Sequence, residues 1–292
     1  MAKASVLKPI DDGSPGGNLL RVPAPSTAAG RNRNVGWSRL QRHRRIILQL
    51  AGALSMLVIW WIGSLILPPS ILPGPIRVAA ALLGNIADGS LWPNFVATIV
   101  RILWGFLLAM SAGILFGALM GLNKVAEEFL GLWITVAITI PSLAVLLVLY
   151  ILMGLNETAT VVAIGISGFP AIAINVWQGV KNVDTKLLAM SRVFKIGPRR
   201  RFTQVVLPQI APYLVASARF GLGTIWKITV VAELIGRDSG IGFQLHYWFQ
   251  LFNMTQVFAW TLFFTIIMLV VEICVFKPIE TYLFRWRPAV TF

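Results

Sequence analysis

Charged side chains stand inside long apolar runs of this chain, among them Arg101, Arg219, Lys227, Glu233 and Glu272. A charge near the middle of a bilayer costs at least about 2.5 kcal/mol, so each such residue needs a partner or a function. Arg219 and Lys227 are eight residues apart, about 80° around a helix, and both can face one cavity. Glu233 lies about 40° from Arg219 but about 21 Å along the axis, too far to pair with it. Lys227 therefore has no partner on its own helix. In one reading Arg219, Lys227 and Glu233 line a translocation pathway that favours anions. In the other, Lys227 pairs with Glu233 or Glu272 from a different helix or subunit. Arg101, two turns into its run, reads as a snorkelling or interhelical anchor.

Other chemistry is sparse. The one cysteine, Cys274, excludes an internal disulfide, and His43 and His246 are too few and too distant in sequence to suggest a metal site. Apart from Asp11 and Asp12, and Glu127 and Glu128, the acids are scattered singly, so no clustered catalytic set is visible and an enzyme is disfavoured. The dipeptide Gly-Lys occurs nowhere, so no phosphate-cradling P-loop is present. No cofactor is expected on this chain, and ATP, if used, is expected on a partner.

The elements that position these residues follow from composition. Of 292 residues, 57% are hydrophobic and only 12% charged, which is too little polar surface for a soluble domain. Apolar runs at roughly 46–67, 96–122, 129–152, 158–177, 212–235 and 257–278 predict an all-α integral membrane protein of six transmembrane helices. The net charge of +14 raises the question of nucleic acid, but its position answers it. With the N-terminus inside, inner segments hold twenty Lys and Arg and outer segments only Arg77 and Arg237. Both termini and the 178–208 loop are therefore expected in the cytoplasm. Residues 1–40 read as a disordered basic tail that meets lipid headgroups, and 41–292 as the transmembrane domain.

Two patterns concern packing and coupling. Gly105, Ala109, Gly113, Gly117 and Gly121 form a small-residue stripe that lets another helix approach closely. Pro141 and Pro170 predict kinks within their spans. In the 178–208 loop, Leu187, Leu188, Met190, Val193 and Phe194 fall at helical spacing, with Pro198 as a stop. This amphipathic helix has three readings: it lies on lipid headgroups, packs on its own bundle, or docks in a partner's groove.

The segment from Leu188 to Pro208 resembles the cytoplasmic signature of permease subunits of binding-protein-dependent ABC importers. That pattern runs Glu-Ala-Ala, three residues, Gly, nine residues, Ile-x-Leu-Pro. Here Ala189, Met190 and Ser191 stand at Glu-Ala-Ala, Lys195 replaces the glycine, and Val205, Leu207 and Pro208 match the close. The runs LPPSILPGPIRVAAALL, ATIVRILWGFLLAMSAGILFGALMGL, TIPSLAVLLVLYILMGLNE and WKITVVAELIGRDSGIGFQL are similar to the nitrate, sulfonate and taurine branch.

The resemblance implies a type I importer fold in the bacterial inner membrane, paired with a second permease copy. It also implies ABC ATPase subunits and a periplasmic or lipoprotein substrate-binding protein, for which His246 is a candidate contact. A coupling helix at about 186–197, comprising Leu187, Leu188, Ala189, Met190, Ser191, Arg192, Val193, Phe194, Lys195, Ile196 and Gly197, is implied to sit in a groove of the ATPase. The solute implied is a small anion of the nitrate, bicarbonate, sulfonate or taurine class. A permease for a neutral heterocycle, such as a thiamine-precursor pyrimidine, resembles this branch too, and a stand-alone channel or secondary transporter is the rival from another class.

Overall fold

A computed structural model describes residues 33–283. Among these every regular element is helical. The chain divides into a short unit, Met1–Met56, and a long one, Leu57–Phe292. Of the tail expected over residues 1–40, residues 1–32 lie outside the described residues, and 33–40 form the first turns of helix α1, Arg33–Ile66. The stretch after Arg33 holds no proline and is rich in helix-favouring Arg, Gln and Leu. In the short unit the described α1 side chains Ile47, Leu48, Leu50, Leu54 and Met56 are exposed.

The long unit continues α1 to Ile66, followed by α2 Pro75–Ala87, α3 Leu91–Leu122, α4 Lys124–Thr139, α5 Ser142–Met153 and α6 Glu157–Lys181. Then come α7 Thr185–Val193, α8 Pro198–Arg201, a wide turn Phe202–Val206, α9 Leu207–Gly236 and α10 Ile241–Gln250. α11 Met254–Val271, a second wide turn Glu272–Phe276 and α12 Lys277–Leu283 complete it. Side chains cap the starts: Asn123, Asn156, Asp184 and Asn253 accept from the free N–H groups of α4, α6, α7 and α11.

Among the described residues five helices are long and apolar enough to span a bilayer, and the bent pair α4 and α5 makes a sixth if counted as one span. The kink expected at Pro141 within the 129–152 span is a full break, with α4 and α5 meeting at 95°. The cause is Pro141: it lacks an N–H, and its ring pushes Ile140 into extended backbone, φ −71° and ψ 126°. Pro170 and Pro212 sit inside α6 and α9 without ending them. Two helices too short to span, α2 and α10, lie in the outer segments between the expected spans, at 68–95 and 236–256.

Hydrophobicity gives helices in lipid little reason to associate, so close approach must hold them. The small-residue stripe of α3 does this against α6. A Cβ added at Gly113 would lie 2.5 Å from Ile172 Cγ2, and one at Gly117 2.5 Å from the Ala173 carbonyl oxygen. At Gly121 it would lie 2.5 Å from Val180 Cβ. α6 reciprocates at Gly165, where a Cβ would meet Leu108 at 2.5 Å. Ile102, Ala109, Ile164, Ile172, Val176, Ile225 and Trp226 of α3, α6 and α9 form the central core. A second core joins α2, the start of α3, α10 and α11 through Val78, Leu82, Leu91, Ile241, Ala259 and Trp260.

Candidate functional site: an ion cluster, a cationic cavity and an exposed helix

Where α3 and α6 begin and α9 ends, Arg101 is 3% exposed and is surrounded by acceptors. Its Nε and Nη2 donate to the two Glu157 carboxylate oxygens at 2.8 and 2.7 Å. Nη1 donates to Glu233 Oε1 at 2.8 Å and to the Ser239 carbonyl at 2.7 Å, and Nη2 to Ser239 Oγ at 2.8 Å. The other Glu233 oxygen accepts from Thr98 Oγ1 and from the Gly242 N–H, each at 2.9 Å. Asn94 and Thr98 of α3 accept the Gly240 and Ile241 N–H groups at 2.9 Å. Gly240 has φ 110°, and a Cβ there would run into the Glu233 carboxylate, so only glycine fits.

The planar five-donor fork of arginine suits this arrangement, since a buried charge is tolerated only when paired and hydrogen-bonded. Arg237 adds a second cation, pairing with Glu157 and donating to the Leu155 carbonyl at 3.3 Å. Arg101 is thus an interhelical anchor joining α3, α6, α9 and the loop before α10.

The cluster corrects one expectation. Glu233 is fully buried against α3 and is not among the residues that line the cavity reached by Lys227. The two are six residues apart, about 120° around α9, so they face different directions.

Arg219 and Lys227 do meet one space. A cavity of about 490 Å³ is lined on one side by Arg219, Phe220, Gly223, Thr224 and Lys227 of α9. On the other side stand Met268, Glu272 and Phe276. Their spacing of four residues places each set on one helix face. Arg219 forms an ion pair with Glu272. Neither carboxylate considered as a partner for Lys227 is joined to it among the described residues: Glu233 is taken by Arg101 and Glu272 by Arg219. Thr224 spends its hydroxyl on the Phe220 carbonyl, 3.0 Å away.

The loop helix forms as α7, shorter than the expected 186–197. Asp184 caps its start by accepting the Lys186 N–H at 2.7 Å. Its end is a Schellman closure: the Lys195 N–H reaches the Arg192 carbonyl at 2.9 Å and the Ile196 N–H reaches Ser191 at 3.0 Å. That closure needs a left-handed residue, and Lys195, at φ 50°, supplies it where the resembled signature has glycine. Leu187, Met190, Val193 and Phe194 are exposed while Ser191 is buried. A groove of about 380 Å³ runs between α7 and the start of α9, lined by Leu187, Met190, Phe194, Ile196, Val205 and Pro208 among others. Gln209 of α9 ties the two together, its Oε1 accepting the Asp184 N–H at 2.8 Å.

Long helices with apolar exposed faces, joined by a buried ion cluster, define a multi-pass helical membrane protein. Residues 110–283 match the family described as the binding-protein-dependent transport system inner membrane component. The chain belongs to that family and is a permease of an ABC importer, a transport subunit of the bacterial inner membrane. It is 30% identical over 234 residues to the aliphatic sulfonates transport permease protein SsuC of Bacillus subtilis, covering 80% of this chain and 84% of that one. The taurine transport system permease TauC of Escherichia coli is 28% identical, over 73% of this chain and 80% of its own. The nitrate import permease NrtB of Synechococcus elongatus is 29% identical, over 64% and 71%. Among solved structures, an inward-facing MetNI methionine ABC transporter shares the fold at 19% identity and TM-score 0.53, over 66% of this chain and 93% of that one.

Proposed function

We propose that this chain is the pore-forming half of an ATP-driven importer for a small anionic solute. It pairs with a second copy of itself, is driven by a separate ATP-hydrolysing subunit, and receives its solute from a substrate-binding protein. The observation that carries the anion is the cavity of about 490 Å³ with Arg219 and Lys227 on one wall. The relatives named for sulfonates, taurine and nitrate support the same class.

Coupling is assigned to α7 and the turn after it, Leu187 to Gly197. Movement of α7 by the ATPase passes through the Gln209 contact to α9, the helix that carries Arg219 and Lys227. Rocking of the bundle then alternates access to the cavity. Both termini and α7 lie in the cytoplasm in this reading, which the distribution of Lys and Arg supports.

The test is uptake of a radiolabelled sulfonate or nitrate by cells carrying the complete importer. Lys227→Gln removes a charged contact of about 1.5–3 kcal/mol, so the rate falls about tenfold or more. Unchanged uptake of the anion by that variant contradicts the assignment.

A further inference from the structure

The coupling segment carries a charge pattern of its own. From Thr185 to Arg201 it holds six cations, Lys186, Arg192, Lys195, Arg199, Arg200 and Arg201, and no acid. All but Arg201 are exposed, and none of the six forms an ion pair among the described residues. Where the resembled signature has glutamate and glycine this chain has Ala189 and Lys195, so it loses an acid and gains a cation. Lys195 also holds a left-handed backbone at φ 50° that glycine adopts more easily. Strain of this kind persists where the side chain has a task.

We infer that the cationic rim of Arg192, Lys195, Arg199 and Arg200 beside the apolar groove of Leu187, Met190 and Phe194 selects an ATP-hydrolysing partner whose receiving surface pairs an apolar knob with carboxylates. This rests on the proposed coupling to an ATPase and adds the chemistry of the partner. One feature favours protein over lipid. The apolar side chains border a concave groove of about 380 Å³, a shape that takes a protruding side chain.

The experiment is retention of the co-purifying ATPase by the tagged complex in phosphatidylcholine nanodiscs, at ionic strengths of about 0.1 M and about 1 M. The wild-type complex loses ATPase at high salt. Arg192→Gln with Lys195→Gln loses it about tenfold more readily at low salt. Lys195→Arg keeps the partner, whereas Lys195→Gly, which relaxes the backbone, still weakens retention. A purely structural role predicts the opposite for glycine and overturns the inference. An effect seen only in discs containing phosphatidylglycerol assigns the cations to lipid and overturns it too. An ATPase retained equally in every variant and at both salts overturns the acidic partner while leaving the coupling reading intact. Absence of any ATPase overturns both.

Discussion

Arg101 of α3 and Glu233 of α9, 132 residues apart in sequence, meet at 2.8 Å with side chains 3% and 0% exposed. Removing one member of a buried pair leaves the other uncompensated, at a cost of about 3–5 kcal/mol. Arg101→Met is therefore expected to lower the thermal unfolding midpoint in detergent sharply. Glu233→Gln, which keeps shape and part of the hydrogen bonding, is expected to cost less. Equal midpoints for wild type and Arg101→Met contradict the anchor role.

The α3 stripe makes a prediction about size alone. Gly113→Ala and Gly117→Ala force Cβ atoms to within 2.5 Å of α6 and are expected to destabilise by about 1–3 kcal/mol. Gly131→Ala on α4 has nothing within 4 Å and serves as the control, gaining from alanine's helix propensity. Thermal denaturation of the three variants side by side separates packing from propensity.

Lys195 at φ 50° carries a left-handed penalty of about 1–2 kcal/mol that glycine does not. Lys195→Gly is therefore expected to slow hydrogen exchange at the amides of Lys195 and Ile196, which close α7, by about fivefold or more. Faster exchange at those amides contradicts the left-handed closure.

The sequence revealed the spans because hydropathy over about 20 residues reports length and apolarity directly. It also revealed the α3 stripe, since a four-residue period needs no knowledge of the partner helix. Three features were not legible. Apolarity alone does not distinguish one helix from two, so the 95° bend at Pro141 read as a kink within a single span. α2 and α10, at 13 and 10 residues, are too short for a span and read as connections. The ion cluster depends on side chains from α3, α6 and α9, and nothing within α9 marks Arg101 and Thr98 as the neighbours of Glu233. For Arg219 and Lys227 the same single-helix argument sufficed, because both face one cavity from one helix.

The claim at the centre of this account is that α7 meets an ATP-hydrolysing subunit. A photo-crosslinker placed at Met190, 55% exposed on α7, tests it in membranes carrying the native complex. Mass spectrometry of the crosslinked product is expected to identify a P-loop ATPase attached at that position. Crosslinks only to lipid or to the chain's own helices, with no ATPase co-purifying, contradict the account and favour a transporter that runs without one.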